Sequence, residues 1–285
     1  MSSYAVIDET FDLNTSSSYH LSIQISLDSF SICILDTVRN KYIALKHIHF
    51  DSIILKEQLI NKLKAFLYSE RLLKKKYKKV SFSIISQNSI IVPGILFNEK
   101  NLSSYFRFTR VLSDKEELYY NKFINTDAYN VFALPSGMTD LLKDFFPVLH
   151  IYNHSTPFIE NVLRSNRTRF QERRVYCDIH QSFFNIVVSE GDKLLLSNTF
   201  SYNNANDLVY YILYIFKQLE LDTESIVLII SGIIAADSEE IDLIRKYIKN
   251  VKLTKFSERY FYSYTFNKLP DHYFTNLINL YNCES

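Results

Sequence analysis

The chain has 285 residues, which suits one large domain or two of ordinary size, and 47% of them are hydrophobic. That hydrophobic content, with 22% charged residues, excludes a disordered protein, and a formal net charge of +1 gives no overall field to attract nucleic acid or an anionic membrane. The three scattered cysteines, Cys33, Cys177 and Cys283, exclude a disulfide framework and favour a reducing, cytoplasmic setting.

The chain opens with a segment for which we expect no regular structure. Residues 1–18 end in a polar run of asparagine, threonine and serine, which predicts a flexible leader. Met1 to Asp12 are acidic and lack an apolar run after a basic start, which argues against a secretory signal. Every apolar stretch is too short or too polar on one face to span a bilayer, so we expect no membrane insertion.

A meander followed by a helix and a strand is predicted directly after the leader. Alternating apolar residues predict three strands. These strands are Leu21–Leu27, Phe30–Leu35 and Tyr42–Phe50. Asp51-Ser52 predicts the cap of a helix with an apolar stripe. The stripe is Leu55, Leu59, Leu63 and Leu67. A strand from Val80 to Ile85 completes the unit.

The same order of elements is predicted a second time. Three strands again come first, and the turn Glu190-Gly191-Asp192-Lys193 joins the last two. They are Val175–Ile179, Phe183–Val188 and Leu194–Phe200. Asn206 or Asp207 is expected to cap the following helix, and Ile226–Ile230 is the closing strand. The repeat predicts a duplication, with a first lobe at 19–165 and a second lobe at 166–285.

Further elements are expected between and after the two copies. A polar and aromatic stretch, 98–129, has no assigned structure. The predicted additions are a strand at Val131–Leu134, a short helix through Phe145, a strand at Val148–Tyr152, a helix capped by Thr156 before Pro157, a helix starting at Asp237 with Glu240, and a final helix at about 271–282. One placement of the final helix is against the first lobe.

The order of these predicted strands and helices resembles that of a known superfamily. Two β-β-β-α-β copies with αβ additions resemble the actin-like ATPase superfamily, which includes actin, Hsp70 and sugar kinases. Within it, the layout most resembles the assembly proteins of type IV pili and type II secretion. The strands at 21–26 and 30–36 are also similar to an uncharacterised bacterial domain-of-unknown-function family. The resemblance implies a duplicated actin-like (ribonuclease H-like) α/β fold, with two lobes that each hold a mixed β-sheet flanked by helices.

The resemblance also implies where a nucleotide would bind. The superfamily uses two Asp-x-Gly turns and a Gly-Gly pair, because glycine lets backbone amides approach phosphates and the aspartate organises Mg²⁺. Here these loops read Gln24-Ile25-Ser26, Asp178-Ile179-His180 and Ser231-Gly232-Ile233, and the chain has only 4 glycines. The candidate nucleotide-loop positions are therefore Ser26, Asp178, His180, Ser231 and Gly232, in a degenerate form.

Other kinds of site have weaker sequence support. The pairs His47/His49 and His150/His154 lack a cysteine pair or a helical zinc motif beside them, so we predict no metal site. The basic runs at 71–79 and 164–174 are interpreted as solvated helical segments, with nucleic-acid binding as the alternative. No nucleophile elbow or Walker loop occurs, and we predict no catalytic residue.

The sequence therefore favours a non-catalytic binding or scaffolding protein with an unidentified protein partner. No cofactor is expected, and the alternative is that the chain binds ATP with Mg²⁺. The alternatives are a divergent ATP-binding enzyme that uses Asp178, and a nucleic-acid-associated protein that uses the two basic runs.

Overall fold

The structure, a computed structural model, describes residues 3–50, 55, 58–169 and 171–283. The chain divides into two compact units. The first comprises Met1–Pro157, Ser257–Leu269 and Leu277–Ser285, and the second comprises Phe158–Phe256 and Pro270–Asn276.

Strands and helices alternate along the chain. The strands are β1 (Tyr4–Ile7), β2 (Tyr19–Ile25), β3 (Ser29–Asp36), β4 (Lys41–His49), β5 (Lys79–Ile84), β6 (Ser89–Pro93), β7 (Glu116–Lys122), β8 (Ala128–Pro135), β9 (Leu149–Asn153), β10 (Arg173–Ile179), β11 (Phe183–Glu190), β12 (Lys193–Ser201), β13 (Val227–Gly232), β14 (Asn250–Leu253) and β15 (Phe261–Tyr262). The α-helices are α1 (Leu59–Ser69), α2 (Leu102–Thr109), α3 (Met138–Phe145), α4 (Ser155–Ser165), α5 (Ala205–Gln218), α6 (Glu239–Tyr247) and α7 (Thr275–Asn279).

The main sheet of the first unit has the order β1-β4-β3-β2-β5-β9, and β15 also pairs with β4. Alternation along β2 sends Leu21, Ile23 and Ile25 into one hydrophobic core, where they meet Leu63 and Leu67 of α1. The apolar faces that the strand and helix periods predict therefore pack together in one core.

The sheet of the second unit has the order β12-β11-β10-β13-β14. Val175, Cys177 and Ile179 of β10 are buried on one face, against Leu208 and Ile212 of α5. Cys177, like Cys33 of the first unit, is a buried free thiol. Burial raises the pKa of both thiols.

The two sheets share one topology, which confirms the duplication. Strands β4-β3-β2-β5-β9 and β12-β11-β10-β13-β14 run in the same order. In both series the first two pairings are antiparallel and the last two are parallel. Even the bulge recurs, because Ile43 of β4 and Leu195 of β12 are each the extra third residue of a nine-residue strand.

The first unit also contains an inserted three-stranded sheet, which the sequence analysis missed. Its order is β6-β8-β7, and only β8 was predicted. Helix α2 covers it with Phe106, which packs with Val92, Val131 and Ala133. The stretch at 98–129 thus forms α2 and β7.

The leader prediction is wrong for most of residues 1–18. Tyr4–Ile7 forms β1 and pairs antiparallel with β4, from Tyr4 opposite His47 to Ile7 opposite Ala44. Residues 13–18 form a 3₁₀ helix that Asp12 caps. An edge strand this short is stabilised by the strand it joins, so its own sequence carries little signal.

Several predicted helix starts are shifted by one to three residues. Asn204 caps α5 in place of Asn206 or Asp207, and Ser238 caps α6 in place of Asp237. Helix α4 begins at Ser155, one residue before the predicted Thr156 cap. The predicted cap Asp51-Ser52 lies outside the described residues.

Candidate functional site

The second predicted loop follows β10 of the second unit. Asp178 is the penultimate residue of that strand, and its side chain points away from the core that Cys177 and Ile179 enter. Parallel pairing with β13 places Asp178 opposite Ser231 and Ile179 opposite Gly232. The fold therefore brings Asp178, His180, Ser231 and Gly232 together.

Asp178 is buried, with 1% of its surface exposed, and both carboxylate oxygens accept hydrogen bonds. Ser231 Oγ donates to Oδ1 at 2.9 Å. His180 Nε2 and Asn276 Nδ2 donate to Oδ2 at 2.8 and 2.6 Å. A buried carboxylate is costly unless it is paired, and these three side chains of its own unit supply such pairing.

His180 takes the place of the glycine expected in the second turn, and it is held from two sides. Its ring stacks on Phe183, with 4.7 Å between the ring centroids. Tyr202 donates its hydroxyl to the His180 carbonyl at 2.6 Å. The imidazole therefore lies where an open phosphate loop would have only backbone.

Gly232 is required by close backbone contact. Its φ is +104°, a conformation that favours glycine, and a Cβ there would lie 2.0 Å from the Ile179 carbonyl oxygen. The glycine predicted as a nucleotide-loop position thus serves the junction of β10 and β13.

The first predicted loop lies in the first unit, between β2 and β3. Ser26 is buried, and its hydroxyl lies 2.7 Å from Ser29 Oγ and also donates to Asp28 Oδ1. The Ser29 amide donates to Ser26 Oγ at 2.9 Å. An equivalent backbone hydrogen bond of 2.9 Å closes each turn. Ser26 N donates to Ser29 O in the first turn, and His180 N donates to Phe183 O in the second. The turn keeps its shape, but side chains occupy its interior.

A Mg-nucleotide held as the superfamily holds it would require changes at both of these loops. Asp178 would first have to release Ser231, His180 and Asn276. Ser26 would have to release its bonds to Asp28 and Ser29. The loops in this arrangement do not fit such a ligand.

Three residues of these networks were missed from sequence. Asn276 lies 98 positions from Asp178, and nothing in its local sequence indicates the contact. Asp28 and Ser29 lie two and three positions after Ser26, so polar residues in an expected phosphate turn were an available signal.

The histidines of the two sequence pairs differ in their surroundings. His47 is buried, and its Nδ1 lies 2.8 Å from Ser31 Oγ. Burial lowers its pKa to about 4, although Asp28 acts in the opposite sense. His154 is buried and its Nδ1 accepts a hydrogen bond from the Ser86 amide at 3.3 Å, whereas His150 is exposed.

The arginines of 164–174 are largely paired with carboxylates. Arg174 lies 2.7 Å and Arg169 lies 3.6 Å from Glu172, and Arg173 lies 3.0 Å from Glu190. These pairs reduce the charge available to an anionic partner.

The run at 71–79 does not end a helix as predicted, because α1 stops at Ser69. Leu72 and Leu73 of the run are buried in a 3₁₀ turn that Glu70 caps.

Comparison with known families gives a match over residues 8–251 to the family described as "Protein of unknown function (DUF3822)". The chain belongs to this family. A search of curated proteins gives no match.

Solved structures place the DUF3822 chain in the actin-like ATPase fold. A protein with actin-like ATPase fold and unknown function from Bacteroides thetaiotaomicron VPI-5482 is 24% identical, with a TM-score of 0.81 over 96% of this chain and 100% of that one. PilM in the PilM–PilN type IV pilus biogenesis complex is 10% identical, with a TM-score of 0.63 over 92% and 97%. The ethanolamine utilization protein EutJ from Carboxydothermus hydrogenoformans is 8% identical, with a TM-score of 0.50 over 96% and 91%. The predicted family type and fold class are confirmed.

No helix among the described residues combines the length and apolar character needed to cross a membrane.

Proposed function

We propose that this protein is a non-catalytic member of the actin-like fold that acts as a binding or scaffolding protein in the cytoplasm. The observation that carries the proposal is the hydrogen bonding of Asp178. This residue is the one carboxylate at the candidate nucleotide-loop positions, and donors from its own unit reach both of its oxygens.

A nucleotide at these loops would have to displace hydrogen bonds of buried side chains. Turning Asp178 toward a metal ion would leave the buried Asn276 amide without its acceptor, and would leave the buried Ser231 hydroxyl only the Cys177 carbonyl at 3.4 Å. Each buried group left unpaired costs about 1–3 kcal/mol. Mg²⁺ would also meet the His180 ring in place of an open backbone turn, so binding works against several local interactions at once.

The proposed partner is another protein. Among the similar structures, PilM is found in a complex with PilN, and this favours a protein partner for an actin-like chain whose own loops are closed. The ion pairs of Arg169, Arg173 and Arg174 with glutamates argue against nucleic acid at 164–174.

Isothermal titration calorimetry with Mg-ATP tests the proposal. The expected result is no saturable heat and no phosphate release. Asn276 Oδ1, beside Asp178, is buried and has no hydrogen-bond partner in the described part of the chain. This oxygen is the acceptor that a bound nucleotide would use. Saturable binding with release of phosphate would overturn the non-catalytic assignment.

A further inference from the structure

Strand β12 is an open edge of the second unit. It is nine residues long and pairs with β11 alone among the described strands. From Leu194 to Ser201 it contains no charged residue and no proline. Natural sheets usually protect such an edge with charge, proline or a covering segment, because its free amides and carbonyls template further pairing.

The opposite edge of the same sheet is protected in the ordinary way. Strand β14 has four residues, and it carries Lys252 in a strand that Lys249 immediately precedes. The contrast makes the long, uncharged edge of β12 a specific feature of this unit.

The internal duplication shows what an edge of this kind accepts. Strand β4 of the first unit occupies the same place as β12 and has the same bulge, yet other strands cover it. Strand β1 pairs antiparallel with Ala44–His47, just beyond the bulge, and the Asp8 amide continues the ladder to Ile43 O at 2.7 Å. Counting from the bulge, the equivalent stretch of β12 is Leu196–Thr199.

The backbone of this stretch is oriented for pairing. The Thr199 amide donates to Asn198 Oδ1 at 2.8 Å, so it points away from β11. Alternation then directs the amide and carbonyl of Ser197 outward as well. The exposed Asn198 side chain accepts the hydrogen bond from the Thr199 amide that a carbonyl of an added strand would accept.

We propose that β12 pairs antiparallel with β12 of a second copy of this chain, about a two-fold axis at Asn198. This register is chemically self-complementary, as a two-fold interface requires. Leu196 of one protomer faces Phe200 of its partner, Ser197 faces Thr199, and the two Asn198 amides face each other. Cross-strand apolar and hydroxyl pairs are favourable, and no like charges meet.

The pairing involves backbone groups and concerns the outer edge of the second unit, so it stands whether or not the protein binds nucleotide. The area that two paired strand edges bury is small, so we expect a dimer whose population rises with protein concentration.

Analytical ultracentrifugation over a concentration series tests the dimer with a matched pair of variants. Both Thr199→Pro and Thr199→Ala lose the hydroxyl bond to Asn185, but only proline also removes the outward amide. We expect wild type and Thr199→Ala to dimerise and Thr199→Pro to stay monomeric with an unchanged circular dichroism spectrum. A dimer that survives in the proline variant would overturn the proposal.

Cross-linking gives an independent reading if the proline variant does not fold. Residues facing each other at a non-hydrogen-bonded position have Cβ atoms about 4.5–5.5 Å apart, close to disulfide reach. In a Cys283→Ser background, Asn198→Cys should form a covalent dimer on mild oxidation, and Lys217→Cys on the exposed side of α5 should not. A wild-type monomer at its highest soluble concentration, with no Asn198→Cys cross-link, would contradict the pairing and leave the edge to an extended segment of another protein.

Discussion

At the scale of single residues, the candidate loops contain side chains that stabilise their own unit. Asp178 and Gly232 were identified from a nucleotide pattern, and their contacts explain both without a ligand. Asp178 is buried among three donors, and Gly232 fits against the Ile179 carbonyl. Residue type at a motif position was predictable, whereas the group that each residue contacts depended on the fold.

Gly232→Ala tests this structural role of the glycine. Its Cβ would lie 2.0 Å from a backbone oxygen that no side-chain rotation can move. We expect a loss of at least about 3 kcal/mol in the free energy of unfolding, or failure to fold. Gly137→Ala is the matched control, because Gly137 has a φ of +80° with nothing within 4 Å, and it should cost about 1 kcal/mol. Equal losses in urea titrations would show that contact with Ile179 is not what selects glycine.

His47 predicts a pH dependence of stability. Burial lowers its pKa to about 4 in the folded chain, against about 6.5 when unfolded. The unfolded state therefore takes up the proton first as pH falls, and this residue should remove about 2 kcal/mol of stability between pH 7 and pH 5.

The measurement is urea unfolding of wild type and His47→Gln at both pH values. The variant should lose less stability than wild type between them, and exposed His150→Gln should behave as wild type. Identical pH slopes for wild type and His47→Gln would refute the assignment.

At the scale of elements, strands with clear alternation were predictable and very short strands were not. Strands β2, β3, β10 and β11 are buried along nearly all of their length, and the face that enters the core is apolar, so their sequences carry the period. Strand β7, with the sequence EELYYNK, is half-buried along most of its length and carries no such signal. Strands β1, β14 and β15 have two to four residues and depend on the sheet they join.

Helix α5 allows a test of the corrected cap. Asn204 Oδ1 accepts the Asp207 amide at 3.1 Å, so Asn204→Ala should cost about 1 kcal/mol. Asn206, one of the two caps predicted from sequence, lies exposed inside the helix, and Asn206→Ala should be neutral or slightly stabilising. Chemical denaturation of the two variants checks this, and a greater loss at Asn206 would restore the first prediction.

At the scale of the whole molecule, the order of predicted elements was enough to identify a duplicated actin-like fold. Glycine poverty and the altered loop residues predicted that the nucleotide turns had changed. The partners that fill those turns were not predictable, because Asn276 reaches Asp178 only through the return of the chain to the second unit. The same holds for the free edge of β12, which the sheet order alone defines.

The central claim is that Asp178 stabilises its own unit and does not serve a nucleotide. The most direct measurement is the free energy of unfolding of wild type and Asp178→Asn, each with and without Mg-ATP, with exposed Asp192→Asn as control. We predict that Asp178→Asn loses about 1–3 kcal/mol, that Asp192→Asn is unchanged, and that nucleotide alters none of the curves. If Mg-ATP stabilises wild type and fails to stabilise Asp178→Asn, Asp178 is a nucleotide ligand and the account is contradicted.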